Sequence, residues 1–200
     1  RLDKGTSGAL VFALDRETAR SLAEAIASHE VVKTYLAIVR GWTSENGEID
    51  HPLAAVEDEY APTADTGSRA SRTLFRRLET VELPHRVDRY PTARYSLLEL
   101  RPDTGRRHQL RRHLAHISHP IVGDSTYGKG RHNRLFAELF GVQRLLLACV
   151  ALEFAHPRSG QGLRVEAAPG ADFESVVLRL GWRMPAGSQA PSLNPPLPSP

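Results

Sequence analysis

Three short segments carry residue types that could do chemistry. The chain opens Arg1-Leu2-Asp3-Lys4-Gly5-Thr6-Ser7-Gly8. Its two glycines and two small hydroxyl residues permit a tight loop with close backbone approach. Such a loop can set the carboxylate of Asp3 at a cleft edge, with Arg1 and Lys4 beside it. A surface turn with an ordinary solvated Asp fits the same residues. The segment 104–113 reads Thr-Gly-Arg-Arg-His-Gln-Leu-Arg-Arg-His. Here Gly105 ends a turn, and a helix N-terminus then presents free N–H groups among arginines, a natural seat for phosphate. On that helix His108, Arg111 and Arg112 share one side. A basic amphipathic helix paired with surface acids is the plainer reading. The third segment is Lys33-Thr34-Tyr35-Leu36-Ala37-Ile38-Val39. Period-two alternation puts Lys33, Tyr35, Ala37 and Val39 on one face of a strand. A strand tyrosine is ordinarily packing, and Tyr35 gains a chemical meaning only if it faces the same cleft as Asp3.

Charge distribution sharpens the second segment. The 200 residues carry 26 Lys+Arg against 23 Asp+Glu, a net +3. Within 104–123, however, Arg106, Arg107, Arg111 and Arg112 stand without any acid. A local excess of this kind is the footprint of a polyanion, and Arg forks suit phosphate better than a point charge does. The histidines of the same helix invite a competing idea, because His116 and His119 have a spacing that can chelate a metal. Four neighbouring arginines would repel a cation, and no Cys or carboxylate lies near enough in sequence to complete a shell, so no metal is expected. The single cysteine, Cys149, excludes an internal disulfide framework and suits a reducing, cytoplasmic setting. No apolar run approaches the length of a membrane span.

The elements that must position these residues can be read in outline. The apolar run 9–14 reads as a buried strand. Asp15 caps a helix reaching about 28, with Leu22, Ala23, Ile26 and Ala27 on one face. Strands follow at 33–39, 48–56, 72–83 and 93–101, with a polar mobile loop over 57–71. The turn 102–105 leads into a helix from about 106 to 119, limited by Pro120. A helix over 133–140, strands at 145–154 and 163–167, and a last helix capped by Asp172 complete the body. The pattern is α+β, a mixed sheet with interspersed helices in one body over 1–183. A Pro-rich, disordered tail is expected over 184–200. The chain opens at Arg1 with no initiator methionine, so it is expected to be a fragment lacking an N-terminal part, with weakened activity.

Together the three segments resemble the RluA family of pseudouridine synthases. The family's catalytic motif, Arg-Leu-Asp-x-x-Thr-Ser-Gly, matches residues 1–8. Its tyrosine strand is similar to Lys33-Thr34-Tyr35, closing at Arg40-Gly41. Its Thr-Gly-Arg-x-His-Gln-hydrophobic-Arg-x-His signature matches 104–113, followed by His119-Pro120-Ile121-Val122-Gly123-Asp124. Within the family the chain most resembles the TruC type, which modifies tRNA at uridine 65 in the acceptor and T-stem region. Arg89-Tyr90-Pro91-Thr92, Phe140-Gly141-x-Gln143-Arg144 and Gly181-Trp182-Arg183 carry that likeness. One departure stands out: where the family has a Leu-His-Ala step, this chain reads Leu147-Ala148-Cys149.

The resemblance implies a mainly antiparallel sheet with flanking helices and a central catalytic cleft. It implies a monomer that isomerises a uridine in RNA, tRNA favoured over rRNA, with neither cofactor nor metal. Asp3, Tyr35 and Arg111 are the implied catalytic residues. Asp3 is the essential carboxylate, Tyr35 packs on the uracil and assists loss of the C5 proton, and Arg111 pairs with Asp3. At about 4 Å that attraction is on the order of 4 kcal/mol before desolvation. Arg1 fills the stack vacated by the everted base, and Arg106, Arg107 and Arg112 grip phosphates. Thr6, Lys33, His108 and Gln109 complete the expected substrate contacts. The rival readings are a synthase acting on large-subunit rRNA, a non-catalytic RNA-binding module, and a glycosidase. The last would need two carboxylates at the bond where this motif offers one.

Overall fold

The computed structural model describes residues 2–55 and 67–185. In chain order these form β1 (Ser7–Gly8), α1 (Arg16–Ala27), β2 (Val32–Arg40), β3 (Asn46–Asp50), β4 (Leu53–Ala54), β5 (Ser68–Arg69), β6 (Arg72–Leu83) and β7 (Ala93–Pro102). They continue with α2 (Gln109–His116), α3 (Gly130–Phe140), β8 (Leu147–Ala155), β9 (Gly162–Glu166) and α4 (Ala171–Arg179). One sheet runs β1-β8-β2-β7-β6-β3, with β9 added along β8; β4 and β5 pair separately. Only the β1–β8 pairing is parallel in that sheet. The α+β class with a mainly antiparallel sheet is therefore as the sequence suggests.

The strand β2 lies at the centre because both its faces are apolar. Leu36 and Ile38 pack with Phe136 of α3 and with Phe173, Val176 and Val177 of α4. Ala37 and Val39 pack on the opposite side with Leu110 and Leu114 of α2, and Tyr35 borders that cluster. The alternation read from the sequence therefore sorts the strand between two helical layers. Between Thr34 and Tyr35 the β2–β8 register shifts, so that Tyr35 stands opposite Cys149. A bulge of this kind re-aims side chains, and here it stands at the residue of interest.

Several expectations need correcting. The run 9–14 is not a buried strand: β1 stops at Gly8, and Leu10, Val11, Phe12 and Leu14 are exposed, Leu14 by 97%. The edge of β8 that these residues would need is already occupied. Ala9 N–H closes on Cys149 O, Ala167 N–H takes Val150 O, and β9 pairs from Ala151 onward. The helix read over 106–119 spans only 109–116. It starts late because the Gln109 carboxamide oxygen accepts from Arg106 N–H and the Thr104 hydroxyl, which fixes a non-helical turn. His108 takes the N-cap position with φ +54°. The expected free N–H groups at Arg106 are thus not a helix terminus. At the other end Ser118 adopts φ +65°, while His119 N–H bonds to Leu114 O.

By contrast, Asp15 caps α1 through Thr18 N–H, and β6 covers the residues read for it. Of the expected tail, Met184 packs against the core; residues 186–200 lie outside the described residues, as does most of the expected loop over 57–71.

Gly8 is the tightest joint between the opening loop and the sheet. Its φ is +106°, and a Cβ there would lie 1.9 Å from Cys149 O. Gly8→Ala is expected to cost about 3 kcal/mol of stability, from positive φ and overlap with backbone together. A urea-unfolding midpoint equal to that of the parent would contradict this close approach.

Candidate active site

The opening loop turns at Thr6 N–H to Asp3 O, with Gly5 at φ +91°. Ser7 anchors it: its hydroxyl donates to Pro169 O at 2.7 Å and accepts from Arg144 Nη2 at 2.6 Å. Arg144 in turn donates to Asp172, the acid read as a helix cap, which also accepts from Phe173 N–H. The N-cap position itself is Gly170. This tether fixes the residues from which Asp3 projects.

Asp3 and Tyr35 line one cavity of about 290 Å³, close to the small end of the ~300–1,000 Å³ range of ligand clefts. Lys33 and Thr6 share its wall, and the turn after β7 contributes Thr104, Gly105 and Arg106. The far end is apolar, with Leu22 and Ile26 of α1 and Phe154 of β8. Two buried polar atoms have no hydrogen-bond partner among the described residues, Thr6 Oγ1 and Arg106 Nε, and both belong to residues of this wall.

Burial pushes the Tyr35 phenol well above its usual range, and the neighbouring Cys149 and the Asp3 charge push the same way. The hydroxyl is accordingly protonated near neutral pH. Burial also lowers Lys33. It raises the fully buried Cys149 thiol to about 11, against the opposing pull of the Tyr35 hydroxyl and Lys33. Cys149, read in the sequence as the single cysteine and as part of a departure from the family pattern, lines the cavity and stands opposite Tyr35 in the sheet.

Arg111 requires a correction. Its guanidinium does not pair with Asp3. Nε and Nη2 donate to the two oxygens of Asp124 at 2.7 and 2.8 Å, with side chains 7% and 0% exposed. Asp124 wins the fork because its carboxylate is already oriented by the Thr126 and Tyr127 N–H groups on Oδ1. Burial opposes the Asp124 charge, but the fork and these N–H groups outweigh it and hold its carboxyl below the usual range. Arg111 stands behind the cavity rather than in its lining, and its charge still attracts that of Asp3 at longer range. The pair Arg111–Asp124 spans the end of α2, and sequence spacing alone did not connect them. The signal that could have found it is Gly123-Asp124-Ser125-Thr126-Tyr127-Gly128, which has the composition of an Asp-centred turn.

The remaining expected contacts divide. Gln109 lines the cavity, yet its amide is bonded to Thr104, Arg106 N–H, Arg72 O and Thr73. That makes it a brace for the turn rather than a free group. His108 shares a 3.2 Å hydrogen bond with the Tyr127 hydroxyl, and burial lowers it while the Asp3 charge opposes. Arg112 donates to Ala54 O, and Arg107 is half-exposed beside His108. None of these three lines the cavity. Arg1 lies outside the described residues. The histidines weighed as chelators are otherwise engaged: His116 stacks on His51 at 3.7 Å, and His119 Nδ1 bonds to Arg40 O. No cluster suited to a metal ion occurs among the described residues, and no helix there is long and apolar enough to cross a membrane.

One carboxylate, a buried phenol and the basic side chains of Lys33 and Arg106 thus share the wall of a single cavity. The family model described as RNA pseudouridylate synthase matches residues 1–116. The tRNA pseudouridine synthase C of Vibrio vulnificus (strain CMCP6) is 45% identical over 185 residues, covering 91% of this chain and 76% of the relative. The protein of the same name from Vibrio cholerae is 45% identical over 186 residues, covering 92% and 76%. Among solved structures, human RNA pseudouridylate synthase domain containing 4 superposes with a TM-score of 0.69 at 25% identity, covering 92% of this chain and 76% of that one. The chain belongs to the RNA pseudouridylate synthases, in the RluA family, and is an enzyme that isomerises uridine to pseudouridine.

Proposed function

We propose that the substrate is a uridine in tRNA, at position 65, and that Asp3, Tyr35 and Arg111 carry the reaction. The observation that supports this best is the convergence of Asp3 and Tyr35 on one cavity. The relatives named for tRNA match over nearly the whole described chain. The reaction breaks C1′–N1, turns the uracil, forms C1′–C5, releases the C5 proton and leaves a proton on N1. It is an isomerisation with no net redox change. The base must leave its stack to reach Asp3, at a cost of a few kcal/mol. Arg106 on the rim, with Arg107 and Arg112 beyond it, supplies phosphate contacts.

Asp3 acts as the ionised carboxylate that makes or assists the first bond change, and Arg111 supplies positive charge behind it. Tyr35 packs against the uracil. Because burial keeps its phenol protonated, the hydroxyl accepts the C5 proton only as it hands its own to a second base, the Asp3 carboxylate in the same cavity, free again once C1′–C5 has formed, and so serves as a relay. Tyr35→Phe is expected to lower the single-turnover rate by about 10²- to 10⁴-fold, with RNA affinity little changed. An unchanged rate would reduce Tyr35 to packing. The substrate is tested by mapping pseudouridine in both RNA pools of a strain deleted for this protein. Loss from one tRNA site is expected. Loss confined to large-subunit rRNA would overturn the tRNA assignment.

A further inference from the structure

The turn that joins β6 to β7 and the first turn of α3 take no part in the cavity, yet they concentrate charge. Residues 84–92 hold Arg86 and Arg89 against Asp88, and residues 128–135 hold Lys129, Arg131 and Arg134 with no acid. The fold joins the two segments. Arg131 pairs with Asp88, and the charge of Arg40, at the end of β2, acts both on Tyr90 of the turn and on His132 of α3.

The turn is firmly held. Val87 and Tyr90 exchange backbone hydrogen bonds at 3.1 and 3.2 Å, Asp88 takes φ +56° at the corner, and Val87 is buried in the cluster that holds Phe136 of α3. Arg89 and Tyr90 are left on the outside. Tyr90 is 51% exposed, and Arg89 lies 5.1 Å from its ring centre while donating to its hydroxyl at 3.0 Å. That bond and the charges of Arg89 and Arg40 hold the phenol below its usual range, so the local field is positive.

Folding gains little from this arrangement. Like charges gathered on one surface repel one another and destabilise the compact state, a cost that a bound polyanion removes. Lys129 and Arg134 are exposed and make no ion pair among the described residues, while Asp88 answers Arg131. An exposed ring among cations is the combination that holds an unpaired nucleic-acid strand: the cations track the backbone and the ring takes a base on its face. A base paired within a stem offers no such face. The strand from Tyr35 to Arg40 sets this surface about 17 Å from the catalytic phenol, several nucleotides away from the everted uridine.

We propose that this surface is a second RNA contact, separate from the catalytic cavity, which holds an unpaired stretch of the substrate tRNA outside the stem that carries the target uridine. Tyr90 stacks on a base there, and Arg86, Arg89, Lys129 and Arg134 take the neighbouring phosphates. The inference rests on the reading of tRNA as the substrate.

Filter binding and single-turnover assays test it, on a full tRNA transcript and on a hairpin of the target stem alone. The double variant Arg89→Ser, Lys129→Ser is expected to bind full tRNA about tenfold more weakly at about 0.1 M salt, and to flatten the slope of log K against log salt by about 1.4, for two phosphates on a single strand. Affinity for the hairpin, and the rate at saturating RNA, should stay within about twofold. Tyr90→Leu keeps apolar bulk but loses the stacking face. It should weaken full tRNA binding about fivefold or more, with the salt slope and hairpin binding unchanged. Parent-like affinity for full tRNA in either variant would overturn the inference. Equal weakening toward the hairpin would overturn it too, because the contact would then lie within the stem. Binding of neither RNA by the unaltered protein would instead overturn the tRNA reading, and the inference with it.

Discussion

Asp3→Asn is expected to abolish isomerisation, lowering the single-turnover rate by about 10⁴-fold or more, equivalent to roughly 5.5 kcal/mol of barrier. The amide matches the carboxylate in size, so the cavity keeps its shape and the Thr6 N–H to Asp3 O turn is untouched. Only the negative charge and the reactive oxygen are lost. Attack on the ring, attack on the sugar and removal of a sugar proton all require the ionised carboxylate, so none survives as an amide. RNA affinity should be unchanged or slightly higher, because removing an anion from a cavity wall does not weaken phosphate contacts. Filter binding beside a single-turnover assay reads both quantities on one preparation. Turnover within about a hundredfold of the parent would show that Asp3 is not the essential group; a Tyr35 site without it would have no anion to use.

Arg111→Lys carries the second-largest expected effect. Charge is kept, so a site needing only a cation would tolerate the change. The fork is not kept, because a point-like ammonium cannot span both Asp124 oxygens and lie over the Tyr127 ring at once. A loss of about 100-fold in single-turnover rate is expected, with RNA affinity within about twofold. A rate within about threefold of the parent would mean that orientation of the guanidinium is immaterial.

Elements with their own periodicity were legible in the sequence. β6 and β7 stand where alternation puts them, and Asp15 caps α1 because an Asp before an apolar-periodic segment satisfies a free N–H locally. Tyr35 and Asp3 were legible as candidates, and the sheet brings them to one cavity. What sequence could not convey was competition. The run 9–14 is apolar enough for a strand, but β9 occupies the edge it would need. Residues 106–108 are good helix formers, but the Gln109 carboxamide holds them in a turn. Arg111 has a suitable acid in Asp3 by motif, but Asp124, 13 residues along, offers two organised oxygens. In the first and third cases a partner farther along the chain overrode a sound local reading; in the second a side chain three residues on did so.

Isomerisation of a tRNA uridine through Asp3 leaves a chemical trace at uracil C5. Transcripts tritiated at uracil C5 report it directly, because tritium reaches water only when that carbon exchanges its hydrogen for the bond to C1′. Incubation with a tRNA transcript is predicted to release tritium from one uridine per molecule, and mass spectrometry should find pseudouridine there. Asp3→Asn should release none. No release from tRNA by the unaltered enzyme, or equal release by Asp3→Asn, would contradict the account.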